Sequence, residues 1–164
     1  MTTNEVKDLS GKLALITGCT GGSGTATARE LASIGCSVAV HYNAAAEKAN
    51  KLVSELGKVG VQAHAFQADL SSYDEARKLH KEVTDVMGHP GILFNNSGIT
   101  LKSGVKDIIE ISIEDFEHTW RTNCGTAYLL TQLCMPAMQR EQFGRIIFCS
   151  SVAGLSGGEP SREE

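Results

Sequence analysis

A glycine cluster stands directly after the apolar run 13–17 and directly before a helix-compatible stretch, 25–31. Its members are Gly18, Gly21, Gly22 and Gly24. A strand, a tight glycine turn and a helix in this order let backbone N–H groups approach a phosphate, and the helix N-terminus adds partial positive charge. The pattern predicts a site for a phosphorylated ligand, and a dinucleotide is the ligand that it favours.

Strand-like and helical segments alternate along the rest of the chain. The predicted strands are 13–17, 37–41, 61–66, 91–95 and 145–149, and the predicted helices are 25–34, 44–56, 71–87 and 112–138. This βαβ alternation is typical of an α/β, Rossmann-like, doubly wound parallel sheet. Right-handed crossovers favour the strand order 3-2-1-4-5. Ligands of such sheets bind where the order switches, between strands 1 and 4, so the loops 18–24 and 95–98 should meet there.

The composition excludes several classes of function. With 164 residues and a net charge of −4, the chain carries no basic block of the kind that binds nucleic acid. Its apolar runs are far shorter than the roughly 20 residues of a membrane helix, and its polar start resembles no signal peptide, so we expect a cytoplasmic protein. The five cysteines form no CxxC pair, and no metal site is expected.

Cys19 is the one cysteine that calls for two interpretations, because it lies inside the glycine loop. A nearby helix N-terminus can lower a thiol pKa, which would suit a reactive or sensing cysteine. The simpler interpretation is a small residue that fills a tight turn, and the sequence favours it.

The loops that come after the predicted strands carry a set of motifs in a fixed order. Strand 1 is followed by Thr17-Gly18-x-x-x-Gly22-x-Gly24, and strand 3 is followed by Asp69-Leu70. Strand 4 is followed by Asn95-Asn96-Ser97-Gly98. The helix before strand 5 contains Asn123, and strand 5 ends in Ser150-Ser151-x-x-Gly154. Together they resemble the short-chain dehydrogenase/reductase family, above all its members similar to 3-oxoacyl-[acyl-carrier-protein] reductase. Ser97 stands where that family usually has alanine.

The resemblance implies a set of cofactor contacts. They are Thr17, Gly18, Thr20, Gly22, Ser23 and Gly24 in the glycine loop, Asp69 and Leu70 after strand 3, and Asn95, Asn96, Ser97 and Gly98 after strand 4. Asp69 is implied at the adenine edge. The two asparagine amides are well placed to tie neighbouring strands and to meet the cofactor ribose. Two residue types in this set also have simpler interpretations. Asp69 could cap the following helix, and the two asparagines could be turn formers, since asparagine tolerates left-handed geometry.

Two further residues are implied to be catalytic. Asn123 shares a helical stripe with Phe116, Trp120 and Ala127, which predicts an inward-facing amide that needs hydrogen-bond partners. It is either a satisfied core asparagine or, as the resemblance implies, a residue that helps to hold a water of the proton relay. The resemblance also selects Ser151 as the hydroxyl that binds the carbonyl of a 3-oxoacyl-thioester-like substrate and favours the developing alkoxide.

The end of strand 2 favours NADP(H) over NAD(H). NAD enzymes of this fold usually place an acid there to bind the ribose hydroxyls. Here the strand ends in His41-Tyr42-Asn43, and the first acid is Glu47. His41, Asn43 and Lys48 are therefore the candidates to contact an additional phosphate.

The family's Tyr-x-x-x-Lys pair does not occur in the sequence. The tyrosines are Tyr42, Tyr73 and Tyr128, and none is followed by lysine four residues later. We therefore expect a chain truncated before that motif, with 1–158 an incomplete NAD(P)-binding domain lacking the family's last strands and 159–164 a short polar tail. Little or no reductase activity is expected. The alternative is an inactive nucleotide-binding fragment or a dimerisation partner, with a homo-oligomer formed through helix 112–138.

Overall fold

The predicted strands form one parallel sheet. A computed structural model describes residues 8–102, 104–105 and 107–156. The strands are β1 (Leu13–Ile16), β2 (Ser37–Tyr42), β3 (Ala63–Gln67), β4 (Ile92–Asn95) and β5 (Arg145–Phe148). Their order is β3-β2-β1-β4-β5, which confirms the predicted topology. The tail predicted for 159–164 lies outside the described residues.

Helices cover both faces of the sheet around β1, β2 and β4, whereas the edge strand β5 stays largely exposed. The helices are α1 (Gly22–Ser33), α2 (Ala46–Gly57), α3 (Tyr73–Met87), α4 (Ile113–Trp120), α5 (Thr126–Arg140) and the short α6 (Ala153–Ser156). Every residue of β1 is buried, and alternate side chains point to opposite faces. Leu15 packs in the cluster formed with α3 and α5, and Ile16 packs in the cluster formed with α1 and α2.

Helix starts differ from the predicted ones for identifiable reasons. α1 begins at Gly22 rather than at 25, because the last glycines of the loop already form its first turn. α3 begins at Tyr73 rather than at 71, because Ser72 is its N-cap and its Oγ accepts the N–H of Glu75 at 3.3 Å. Boundary shifts of this size leave the predicted loops at the same edge of the sheet.

The single helix predicted for 112–138 is interrupted. α4 is followed by a π-helical turn, Arg121–Gly125, and only then by α5. Such a turn inserts an extra residue and rotates the side chains of α4 relative to those of α5. A β-carbon on Gly125 would collide with the Tyr73 hydroxyl, so this turn and α3 lie in close contact.

Within the described part of the chain, no helix has the length and apolar character needed to cross a membrane.

Candidate functional site

A cleft of about 490 Å³ opens at the carboxyl ends of the strands, where the sheet order switches between β1 and β4. The predicted loops 18–24 and 95–98 meet there, and the segments after β2 and β3 join them. Of the predicted cofactor residues, the cleft is lined by Gly18, Thr20, Gly22, Ser23, His41, Asn43, Asp69, Leu70, Asn96, Ser97 and Gly98. The sequence therefore predicted the position of the cleft, although three of the predicted residues, Thr17, Gly24 and Asn95, do not line it.

The glycines of the loop serve different purposes. Gly18 has a φ of +60°, a left-handed conformation that favours glycine. A β-carbon on Gly24 would lie 2.7 Å from the Gly18 carbonyl oxygen, so no side chain fits between α1 and the loop. A β-carbon on Gly22 would meet no atom within 4 Å, since that residue faces the open cleft.

The N-terminus of α1 presents backbone donors to the cleft. Its N-cap, Gly21, makes no side-chain hydrogen bond to the first turn, whereas the caps of α3 and α4 do. Gly22 and Ser23 of that turn line the cleft. Orphan N–H groups and the positive end of the helix dipole together suit an anionic diphosphate.

Thr17 and Asn96 join β1 to β4 beneath the cleft. The buried Thr17 hydroxyl accepts the backbone N–H groups of Asn96 and Ser97, each at 2.9 Å. The Asn96 side-chain Nδ2 donates to the carbonyls of Thr17 and Gly18, at 2.9 and 3.1 Å. Thr17 does not line the cleft, so its hydroxyl holds the loops together rather than facing a ligand.

Asn95 and Gly24 also lie behind the lining. Asn95 is the last residue of β4, and strand alternation points its side chain to the same sheet face as the buried Leu93. It is only 5% exposed, and within the described residues neither of its amide atoms has a hydrogen-bond partner. The side chain is thus inside the protein, not beside the cofactor ribose as the resemblance implied.

His41 departs from its predicted role. Its Nδ1 accepts the Gly18 N–H at 3.0 Å, and its Nε2 is 3.0 Å from the Ala68 carbonyl oxygen. Burial lowers the pKa of the ring, which favours the neutral form. Because both ring nitrogens are bonded within the protein, His41 is not free to contact a phosphate, and that interpretation was wrong.

Asp69 does not cap α3, whose N-cap is Ser72, and its contact with adenine stays a prediction. Its Oδ1 accepts the N–H of Ser71 at 2.9 Å, in the turn that leads to α3, and the carboxylate also lines the cleft. Hydrogen bonds from Ser71 lower the pKa of Asp69, so the group is a stable anion. The next residue, Leu70, has a carbonyl that accepts the buried Thr126 hydroxyl at 2.7 Å.

A second cavity of about 380 Å³ adjoins the cleft and contains both residues implied to be catalytic. Asn123 and Ser151 line it together with the segment 96–100, part of which also lines the cleft. The Asn123 Oδ1 accepts the Ile99 N–H at 2.8 Å, and its Nδ2 donates to the Ile99 carbonyl at 2.9 Å. The Ser151 Oγ accepts the N–H of Ala153 at 3.2 Å.

The predicted inward stripe around Asn123 is wrong. Phe116 and Trp120 are more than half exposed, and Asn123 is exposed, whereas Ala127 is buried. The stripe assumed an uninterrupted period of 3.6 residues, and the π-helical turn between Trp120 and Thr126 breaks it. Asn123 is therefore a clamp on the segment after β4 rather than a core residue.

The cysteine thiols exposed at the site are not that of Cys19, which the sequence suggested, but those of Cys124 and Cys149. Cys19 is fully buried, and burial raises its pKa to about 12, which argues against a reactive thiol. The exposed thiols of Cys124 and Cys149 line the second cavity instead. The sequence could have indicated this placement, because Cys124 directly follows Asn123 and Cys149 directly precedes Ser150. Among the described residues, no cluster of three or more His, Cys, Asp or Glu side chains could hold a metal ion.

Comparison with known proteins gives the same family at the level of sequence. The sequence model described as short chain dehydrogenase matches residues 12–161. The chain is 35% identical over 161 residues to "Hydroxynaphthalene reductase-like protein Arp2" of Metarhizium acridum, covering 98% of this chain and 58% of that one. It is 35% identical over 154 residues to "3-oxoacyl-[acyl-carrier-protein] reductase FabG" of Aquifex aeolicus, covering 93% and 60%. The chain thus spans somewhat more than half the length of these curated relatives.

Solved structures agree with the fold. A metagenomic short-chain oxidoreductase in complex with NADP superposes with a TM-score of 0.82 at 30% identity, over 90% of this chain and 65% of that one. A short-chain dehydrogenase from Burkholderia cenocepacia J2315, also in complex with NADP, gives a TM-score of 0.73 at 32% identity, over 79% and 52%.

Proposed function

The chain belongs to the short-chain dehydrogenase family, and on that basis we propose that its cleft binds a nicotinamide dinucleotide for the reduction of a carbonyl group. The observation that carries the proposal is the uncapped start of α1, with Gly22 and Ser23 facing a cleft of about 490 Å³. When bound, the dinucleotide would supply the hydride. Such a cofactor fits these residues because its diphosphate is anionic and the loop offers backbone donors.

We propose NADP(H) as the preferred form. The residues that line the cleft after β2, Asn43 to Ala45, are uncharged and would not repel an additional phosphate. Lys48 and Lys51 line an adjoining groove that shares Thr20 with the cleft. Two of the solved relatives are complexes with NADP, which supports the same choice. His41 takes no part in it, because its ring is engaged with Gly18 and Ala68.

The substrate side of the proposal rests on Ser151 and Asn123. The Ser151 hydroxyl would donate to the carbonyl oxygen of a 3-oxoacyl-thioester-like substrate and favour the alkoxide that develops there. Asn123 would keep the segment 96–100 in place between the cleft and the second cavity through its two bonds to Ile99.

Binding and turnover test the two parts separately. Calorimetric titration of the purified 164-residue chain should give tighter binding of NADPH than of NADH, and tighter binding of NADH would overturn the cofactor choice. With NADPH and a 3-oxoacyl thioester, we expect little or no turnover, because a positioned proton donor typically contributes about 10²–10⁴ in rate and the Tyr-x-x-x-Lys pair does not occur in this sequence. Turnover comparable with that of active reductases would contradict this expectation.

A second candidate function, assembly with another copy, is favoured by the exposed apolar surface of α4 and α5. Ile113, Phe116, Trp120 and Tyr128 are each more than half exposed. Sedimentation velocity should then detect a dimer that the substitution Trp120→Glu dissociates, while Val86→Glu, at an exposed position on α3, should leave it intact. A monomer at all concentrations would exclude this candidate.

A further inference from the structure

His41 connects two walls of the cofactor cleft. It lies in β2 and is 2% exposed, and its ring reaches the glycine loop on one side and the segment after β3 on the other. Its backbone takes part as well, because the His41 carbonyl accepts the N–H of Cys19 at 2.9 Å. Besides its pairing with β3, three hydrogen bonds therefore converge on this one residue.

The partners of the ring determine its tautomer. A backbone carbonyl only accepts, so the Nε2 that lies 3.0 Å from the Ala68 oxygen must carry the proton. A backbone N–H only donates, so the Nδ1 that lies 3.0 Å from the Gly18 nitrogen must be unprotonated. Only the neutral Nε2–H tautomer satisfies both bonds.

Each bond fixes a part of the cleft. Gly18 is the first residue of the glycine loop and has the left-handed φ of +60°, and its carbonyl accepts the Asn96 side chain from the opposite side. Ala68 directly precedes Asp69 and Leu70, which line the cleft. The ring thus sets the position of the loop relative to the segment that the family resemblance assigns to adenine.

We propose that His41 is a positioning residue for dinucleotide binding, acting as a neutral ring that holds Gly18 and Ala68 at a fixed separation. Protonation would set an Nδ1–H against the Gly18 N–H and release the start of the loop. The inference rests on the proposed function, because dinucleotide affinity is the quantity that His41 would control.

Other titratable groups lie on the elements around the ring. The glycine loop contributes the Cys19 thiol, whose pKa burial raises to about 12, so it stays neutral. The segment after β3 contributes Asp69, whose pKa the Ser71 hydrogen bonds lower, so it stays anionic. Helix α4 contributes His118 to the same cleft, while the segment between β2 and α2 contributes the uncharged Ala44 and Ala45. His118 is therefore the group that must be separated from His41 by experiment.

The test compares two substitutions of His41. His41→Asn keeps an acceptor near the position of Nδ1, whereas His41→Leu removes both bonds. At about pH 8, above the ordinary histidine pKa of 6.5, we expect His41→Leu to weaken binding of NADP⁺ and NAD⁺ about tenfold or more, the effect of one buried unpaired group. His41→Asn should weaken it less. His64→Asn, at an exposed histidine on β3, is the matched control and should bind like the wild type.

The pH profile separates positioning from a loss of stability. As the pH falls, the affinity of the wild type for the dinucleotide should decrease. The midpoint of this decrease should equal the midpoint of the His41 ring titration measured by NMR. The control variant His118→Asn should show the same decrease. NAD⁺ is titrated beside NADP⁺ because it lacks the 2′-phosphate, whose second pKa is about 6. A His41 that titrates without a change in affinity, or a His41→Leu variant that binds like the wild type, would overturn the proposal.

One measurement needs no cofactor. The ring ¹⁵N shifts of the wild type should report the Nε2–H tautomer, and the Gly18 amide should exchange faster in His41→Leu than in His41→Asn. An Nδ1–H tautomer, or equal exchange in both variants, would contradict the positioning role. If the wild type bound no dinucleotide at any pH, the proposed function would fail, and this measurement would still decide whether the ring holds the loop.

Discussion

The hydroxyl of Thr17 accepts the backbone N–H of Asn96 at 2.9 Å, across 79 residues of sequence. The same oxygen accepts the N–H of Ser97 at 2.9 Å. One buried side chain thus satisfies two successive donors at the point where β4 ends, and it keeps the glycine loop and the segment 96–98 at the same edge of the sheet.

Replacement of Thr17 by valine should destabilise the fold. Thr17→Val keeps the shape of the side chain but leaves two N–H groups without their acceptor, and each such buried group costs about 1–3 kcal/mol. We expect the free energy of unfolding, measured in urea, to fall by about 2 kcal/mol or more. Thr17→Ser keeps the hydroxyl and is the control, and an equal loss in both variants would show that the methyl group, not the hydrogen bonds, matters.

Two substitutions in the glycine loop should separate folding from binding. Gly24→Ala places a methyl 2.7 Å from the Gly18 carbonyl oxygen and 2.8 Å from the Cys19 Cα, so it should lower both the melting temperature and the affinity for NADPH. Gly22→Ala meets no atom within 4 Å, and its methyl points to the cleft. It should keep the melting temperature and lose affinity. A lower melting temperature in Gly22→Ala with an unchanged one in Gly24→Ala would contradict this assignment.

The clamp between Asn123 and Ile99 predicts a pattern of amide exchange. Asn123→Ala removes the Oδ1 that accepts the Ile99 N–H, so this amide should exchange faster with deuterium. Asn123→Asp keeps an acceptor at the same place and loses only the donor to the Ile99 carbonyl, so the Ile99 amide should stay protected. Equal exchange in the two variants would show that the side chain does not hold this segment.

The buried His41 and the half-buried His80 predict a loss of stability in mild acid. Burial lowers the pKa of both His41 and His80 from the ordinary value of 6.5. Once the pH falls toward that value, the unfolded chain binds more protons than the folded one, so the free energy of unfolding decreases as the pH falls. The contribution is complete above about pH 6.5, and its slope reaches at most about 1.4 kcal/mol per pH unit for each proton.

Urea unfolding at about pH 8 and about pH 5 measures this loss. His41→Asn removes one of the two groups and should make the dependence on pH shallower, and His80→Asn should do the same for the other. A wild-type stability that does not change across this range would contradict the lowered pKa values of the two rings.

The sequence predicted the sheet order and the position of the cleft because both depend on local signals. The five apolar runs and the glycine turns between them are short-range patterns, and right-handed crossovers leave little choice of topology. The role of His41 was not predictable, since it depends on Ala68, 27 residues away in sequence and adjacent only after folding. The π-helical turn was missed because a period of 3.6 residues carries no sign of one inserted residue. The same omission placed Asn123 on the wrong side of its helix.

The second cavity can be labelled covalently, because exposed cysteine thiols border it while the other thiols are buried. Cys19, Cys36 and Cys134 are buried, and burial raises their pKa values to about 12, about 11 and about 12, so alkylating reagents should spare them. Cys124 and Cys149 are exposed and border the cavity that contains Ser151. A maleimide dye on the Cys149→Ser variant would therefore report from Cys124 alone. Such a variant would be an optical sensor of the molecules that enter that cavity, and no cysteine would have to be added.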